Sequence, residues 1–192
     1  MALTPTKQIP LGFIAPEFNL INPKEKKNQK LSDLKSDKGT LIVFMCNHCP
    51  YVVHILPELV NIANDYMKQG ISFIAINSND IVSHPQDSPE NMVKLVEEYK
   101  IPFPYLFDES QDIAKMYSAE CTPDFSIFNG EMKCVYRGQM DSSRPGNGKE
   151  INGSDVRKAL DQIIKKEPIS SNQTPSIGCN IKWKWLWKKE SL

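Results

Sequence analysis

The chain has 192 residues, and its 23 Lys+Arg balance 23 Asp+Glu, so no net charge draws it to nucleic acid or an anionic membrane. A chain this long buries on the order of 70% of its unfolded surface, enough for one domain that needs no disulfide staples. No apolar run approaches the roughly 18 residues of a membrane span, and Met1 to Lys7 lack a basic stretch followed by an apolar one. Five cysteines, an odd number, do not form a disulfide framework. The expectation is a protein of the reducing cytoplasm that uses at least two cysteines for chemistry.

In chain order, residues 1 to 11 read as an irregular arm, and Asn22 to Lys30 as a polar, Lys-rich turn. Ser32-Asp33 are placed to cap a single helical turn, with Gly39 to end it. Leu41 to Met45 is an unbroken apolar run, as expected for a parallel strand covered on both faces. From Tyr51 the apolar residues Val52, Ile55, Leu56, Leu59 and Ile62 recur at helical spacing, and Pro57 should kink that helix by removing a donor. Gly70 stops it, and Ile71 to Asn77 is a second buried strand. Ser88-Pro89-Glu90 opens a helix to about Tyr99; Tyr105 to Phe107 is a short strand; Asp108 or Ser110 caps a helix through Tyr117. Phe125 to Phe128 and Met132 to Tyr136 flank Asn129-Gly130, a two-residue hairpin signal. Met140 to Gly153 is longer than an ordinary connection, a sign of function. Ser154 then caps a last amphipathic helix ending at Lys165-Lys166. Strand–helix alternation followed by a hairpin and a closing helix predicts an α/β sandwich with a mixed sheet. The domain spans residues 1–168, and a Ser-, Pro- and Asn-rich tail, 169–192, lies over it.

The chemistry centres on Cys46-Asn47-His48-Cys49, set between the buried strand and the long helix. Amide N–H groups at a helix start have no intrahelical partner, and their partial positive charge favours a thiolate. Cys46 is therefore expected to be acidic and nucleophilic, with Cys49 one turn on and close enough to form a disulfide. The competing reading is half of a zinc site, but there is no second Cys-x-x-Cys, and His48, His54 and Cys121 are scattered.

Four features carry a resemblance over nearly the whole chain: Gly12…Ala15-Pro16-x-Phe18-x-Leu20; the strand–Cys46-x-x-Cys49–helix unit; Cys121-Thr122-Pro123 before a strand; and Ser176-Ile177-Gly178-Cys179-Asn180-Ile181-Lys182-Trp183. The chain resembles the thioredoxin-fold superfamily, where thioredoxin-like and peroxiredoxin-like (alkyl hydroperoxide reductase/thiol-specific antioxidant) proteins meet. The resemblance implies a three-layer α/β/α sandwich and a thiol–disulfide oxidoreductase without a cofactor. It makes Cys46 the attacking thiol, Cys49 the resolving thiol and Pro123 a cis-proline facing them, with Thr122 binding substrate. Its partners would be protein or small-molecule disulfides and thiols, with a thioredoxin-type reductant to recycle it.

Departures from that pattern refine the expectation. Met45 stands where thioredoxins carry Trp, and Thr40 where they carry a buried acid, which leaves His48 as the proton relay. His between the cysteines is similar to disulfide isomerases and would move the couple nearer roughly −180 mV than −270 mV. A peroxidase reading remains as the alternative, although the peroxiredoxin Pro-x-x-x-Thr-x-x-Cys laid on Cys49 puts Cys46 at Thr and Ile42 at Pro. Arg137 or Arg144 would have to supply its guanidinium. A copper-type metal module is a third reading; such modules usually separate the cysteines by three residues. Cys121 and Cys179 are candidate extra redox thiols, Cys134 is a packing residue, and His54 and His84 are surface or packing residues. The end, Trp183 to Lys189, alternates Trp with Lys or Leu and would put three indoles on one face.

Overall fold

The computed structural model of the chain describes residues 3–184. Its strands are β1 (Leu3–Pro5), β2 (Asn19–Asn22), β3 (Lys27–Lys30), β4 (Gly39–Phe44), β5 (Ile71–Asn77), β6 (Tyr105–Phe107), β7 (Cys121–Thr122), β8 (Asp124–Asn129), β9 (Cys134–Gly138) and β10 (Ile177–Asn180). Its helices are α1 (Leu31–Leu34), α2 (Pro50–Met67), α3 (Pro89–Glu98), α4 (Asp112–Met116) and α5 (Ser154–Lys165), with a 3-10 turn at Pro85–Asp87.

Seven strands form the main sheet in the order β3-β2-β6-β5-β4-β8-β9. β4 pairs with β5 in parallel and with β8 antiparallel, so the sheet is mixed. The apolar run of β4 is buried throughout, and successive side chains part to opposite faces. Leu41, Val43 and Met45 join the core under α2, α3 and α5, whereas Ile42 and Phe44 join a second core with Leu31, Ala114 and Tyr117 on the α1 and α4 side. This is the expected three-layer sandwich, with a thin second helical layer.

Several local expectations change. The Lys-rich segment after Asn22 is an edge strand, β3, paired with β2; its lysines blunt an edge that would otherwise template further pairing. Part of the N-terminal arm is a strand as well, because β1 pairs with β10. Gly39 starts β4 rather than ending a helix. Helix α2 runs unbroken through Pro57, where the deprived Val53 carbonyl lies on the solvent side of the helix: Val53 is 42% exposed. At α4 both expected caps act: Asp108 accepts from the amides of Ile113 and Ala114, and Ser110 Oγ from that of Asp112. At α5 the N-cap is Gly153, and the Asp141 carboxylate accepts from the Gly153 N–H at 2.7 Å. That bond, with Arg144 holding Gln139 Oε1 at 2.6 Å, ties down the long 140–153 loop. Segment 169–184 does lie on the domain, where Gln139 N–H donates to Thr174 O and Ile181 is buried. Trp183 packs on the second core; Trp185 and Trp187, the other indoles of the expected stripe, lie outside the described residues.

The β8–β9 hairpin forms, but with a four-residue connection and an irregularity between Ile127 and Phe128. The Asn129 side chain accepts from the amides of Glu131 and Lys133, which widens the turn. Gly130 passes so close to the neighbouring loop that an added Cβ would meet Asp37 O at 2.0 Å. Gly130→Ala is expected to cost about 1–3 kcal/mol through the backbone shift it forces. The readout is a lower urea midpoint at unchanged m-value; an unchanged midpoint would show that the contact yields freely.

Candidate active site

β4 ends at Phe44 and α2 begins at Pro50, so the Cys46–Cys49 loop sits at the carboxyl end of a central strand, with Cys49 as the helix N-cap. Met45 N–H donates to Ile76 O at 2.9 Å and fixes the loop to β5. Both thiols are buried, with 1% of Cys46 and none of Cys49 exposed. Facing them is Thr122, whose peptide bond to Pro123 is cis. Cys46 Sγ lies 3.4 Å from Thr122 Oγ1, and Cys49 Sγ lies 3.2 Å from Thr122 O. Thr122 and Pro123 thus occupy the positions expected from the sequence.

A third thiol completes the group. Cys179 lies opposite Thr122 in the β7–β10 pairing, and its side chain and backbone N–H both hydrogen-bond Cys49 Sγ. Cys121, by contrast, faces away: its Sγ lies 4.0 Å from Thr6 Oγ1 and 3.6 Å from Pro123 O, and burial pushes its thiol up. Cys134 is buried in β9, with its thiol pushed up to about 12 by burial.

The charge distribution differs from the expectation at Cys46. Hydrogen bonding from Cys46 first, then from Cys179 and Thr122, outweighs burial and draws Cys49 down to about 4. Cys46 is held up because it donates to Cys49, is buried, and faces the Asp87 carboxylate. The resting anion of the reduced pair therefore belongs on Cys49.

His48 does not act alone. Its Nδ1 lies 2.8 Å from Asp87 Oδ2, an ion-pair contact rather than an aligned hydrogen bond. Asp87 is fully buried and also accepts from Asn47 N–H and the Asn79 side-chain amide, each at 2.8 Å. His84 stacks on His48 with centroids 5.4 Å apart, and burial, then His48 and Lys182 nearby, keep it below the usual imidazole range. His84 thus belongs to the site and not to the bare surface. His54 faces a recess with Tyr51, Pro123, Asp141 and Arg144, and its Nε2 is buried without a hydrogen-bond partner among the described residues. Tyr105 OH donates to Asn47 Oδ1 at 3.0 Å. Asp87, Asn79 and Tyr105 carry no motif; the nearest signal for Asp87 was its place between two prolines, Pro85 and Pro89.

Cys46, His48 and Asp87 also place one donor atom each within 4.8 Å of one another, a group able to hold a metal ion. A cation there would compete with the donors that already occupy both Asp87 oxygens. Arg137, buried and bonded to Ser126 Oγ, Ser118 O and Lys7 O, lies 3.6 Å from Asp124 Oδ2. Burial still lifts Asp124 to about 6. Arg144 bonds carbonyls of its own loop. A groove of about 870 Å³ lies at the Gly39 end of β4 beside α5, and none of the dithiol residues lines it.

A dithiol at a strand–helix junction, facing a Thr–cis-Pro step beside a central mixed sheet, defines a thioredoxin-like protein with a Cys-x-x-Cys site; solved thioredoxin domains below 25% identity share this fold. Within that class the chain belongs to the AhpC/TSA family, whose model matches residues 11–138. The crystal structure of an uncharacterized conserved protein from Geobacillus kaustophilus is 54% identical, covers 96% of this chain and 97% of its own, and superposes with a TM-score of 0.94. A hypothetical protein from Sinorhizobium meliloti is 42% identical over 95% of this chain and 99% of its own, with a TM-score of 0.92. Thiol-disulfide oxidoreductase ResA from Halalkalibacterium halodurans is 27% identical over 60% of this chain, a match that spans 62% of that protein.

In the reduced protein, thiolate absorbance near 240 nm is expected to rise with a midpoint near pH 4 and to vanish in Cys49→Ser. Because the folded pKa is depressed, the thiolate stabilises the reduced fold fully above the unfolded thiol pKa, roughly 8.5. That stability is lost as pH falls through about 4. A midpoint that survives in Cys49→Ser would move the anion elsewhere.

Proposed function

We propose that the protein is a thiol–disulfide oxidoreductase whose working pair is Cys46 and Cys49. The observation that carries this is the cis Thr122–Pro123 step facing both thiols at the head of α2, with Cys46 Sγ 3.4 Å from Thr122 Oγ1 and Cys49 Sγ 3.2 Å from Thr122 O. Cys46 attacks one sulfur of a substrate disulfide while its proton passes to the neighbouring Cys49 thiolate. One substrate sulfur leaves as a thiolate and takes a proton from solvent, and the other is held in a mixed disulfide with Cys46. Cys49, its proton released again, attacks Cys46 Sγ, expels the second substrate thiol and closes the Cys46–Cys49 disulfide. A thioredoxin-type reductant returns the pair to the dithiol. Substrates are protein or small-molecule disulfides.

A depressed Cys49 pKa stabilises the reduced form, which makes the couple more oxidising than that of a general reductant. A dithiol held this way suits the reducing cytoplasm, where we place the protein. Among the described residues no helix is long and apolar enough to cross a membrane.

Hydroperoxide reduction is a second reading, favoured by the AhpC/TSA match. Against it, Ile42 is buried in β4 where the peroxidatic pocket has proline, and Arg137 and Arg144 are bonded to groups outside the dithiol.

Insulin-disulfide reduction with dithiothreitol as reductant tests the lead reading. Cys46→Ser is expected to lose roughly 10³-fold or more of the rate, since the nucleophile is gone. Cys49→Ser is expected to trap a mixed disulfide on Cys46. Wild type that leaves insulin intact, or that consumes hydrogen peroxide rapidly through Cys49 with Cys46 dispensable, overturns it.

A further inference from the structure

The Thr122 backbone edge beside the dithiol is where an extended disulfide substrate would pair. That edge is filled by the chain itself. β10 lies antiparallel to β7, with Cys179 opposite Thr122 and Asn180 opposite Cys121. Ser176 Oγ donates to Pro123 O at 2.7 Å, and Ile181 N–H donates to Glu120 O at 3.0 Å, so the strand is fastened on both sides of Cys179. Further on, Asp80 N–H donates to Lys182 O at 2.8 Å, and Lys182 N–H to Asn79 Oδ1 at 2.9 Å, which ties the segment to the loop that carries Asp87. Contact at the Thr122–Pro123 step is so close that a Cβ on Gly178 would fall 1.9 Å from Thr122 O. The sulfur delivered by this strand hydrogen-bonds Cys49. The AhpC/TSA match ends at residue 138, so Cys179 lies outside the matched region.

We propose that β10 sits in the chain's own site as a tethered substrate strand, and that Cys179 is a third exchange thiol acting on Cys49. This rests on the dithiol reading above. In the oxidised protein, Cys179 loses its proton and attacks Cys49 Sγ; the Cys49–Cys179 bond forms as the Cys46–Cys49 bond breaks, and Cys46 leaves as a thiolate that takes up a proton. One disulfide is present before and after, so no outside oxidant is consumed. The transfer frees Cys46 while the oxidising equivalent is stored under β10.

The test needs no substrate turnover. Reduced full-length protein is treated with one equivalent of diamide, a thiol-oxidising azo compound, then quenched in acid, alkylated, digested and mapped by mass spectrometry. Wild type is expected to contain a Cys49–Cys179 linked peptide beside Cys46–Cys49. Cys46→Ser is expected to convert wholly to Cys49–Cys179. Gly178→Ala, which lifts the strand and leaves all thiols in place, is expected to lose the Cys49–Cys179 link by roughly tenfold or more, because small misplacements of reacting atoms are costly. Its Cys46–Cys49 link should remain. Cys179 recovered fully alkylated in both wild type and Cys46→Ser overturns the proposal, and so does a Cys49–Cys179 link that Gly178→Ala leaves at the wild-type level. If the link forms but insulin is never reduced, the substrate reading fails and this one stands. If insulin is reduced and Cys179 stays free, the reverse holds.

Discussion

Thr122 is the residue through which the site is assembled. Its hydroxyl meets Cys46, its carbonyl lies 3.2 Å from Cys49 Sγ, and its backbone carries the pairing to Cys179. Two residues of strand are enough because each buried backbone group must find a partner, and β7 finds its partners in β10. Without that pairing, the thiols would face a different edge, β1 would have nothing to pair with, and the C-terminal segment would lose its seat. A second sheet of only three short strands, β1-β10-β7, is therefore what closes the dithiol from solvent.

Burial and charge then decide where the anion sits. The helix N-terminus favours a thiolate in the pair. The choice falls to hydrogen bonds and to Asp87. Donors converge on Cys49, and the carboxylate that orients His48 also repels charge on Cys46.

The large groove and the dithiol lie at opposite ends of β4. The large groove beside α5 lies at the Gly39 end, and the thiols lie beyond Phe44 at the other. Thiol exchange explains why no large pocket is needed at the dithiol.

Much of this was legible in the sequence. The unbroken Leu41–Met45 run, the helical spacing from Val52 and the Cys-x-x-Cys between them follow from local periodicity, and they located the central strand, the long helix and the site. The Thr122-Pro123 step before a strand was likewise visible as a local pattern. What the sequence could not settle depends on pairing over long distances. β1 looked irregular because its partner is more than 170 residues away, and the Lys-rich β3 looked like a turn because an exposed edge strand has no buried face to show alternation. The identity of the acidic thiol, the place of Asp87 behind His48 and the contact of Cys179 with Cys49 are set by tertiary hydrogen bonds between segments far apart in the chain. Sequence spacing carries the strand and helix periods; only the folded chain brings together the groups whose mutual distances decide which sulfur holds the charge.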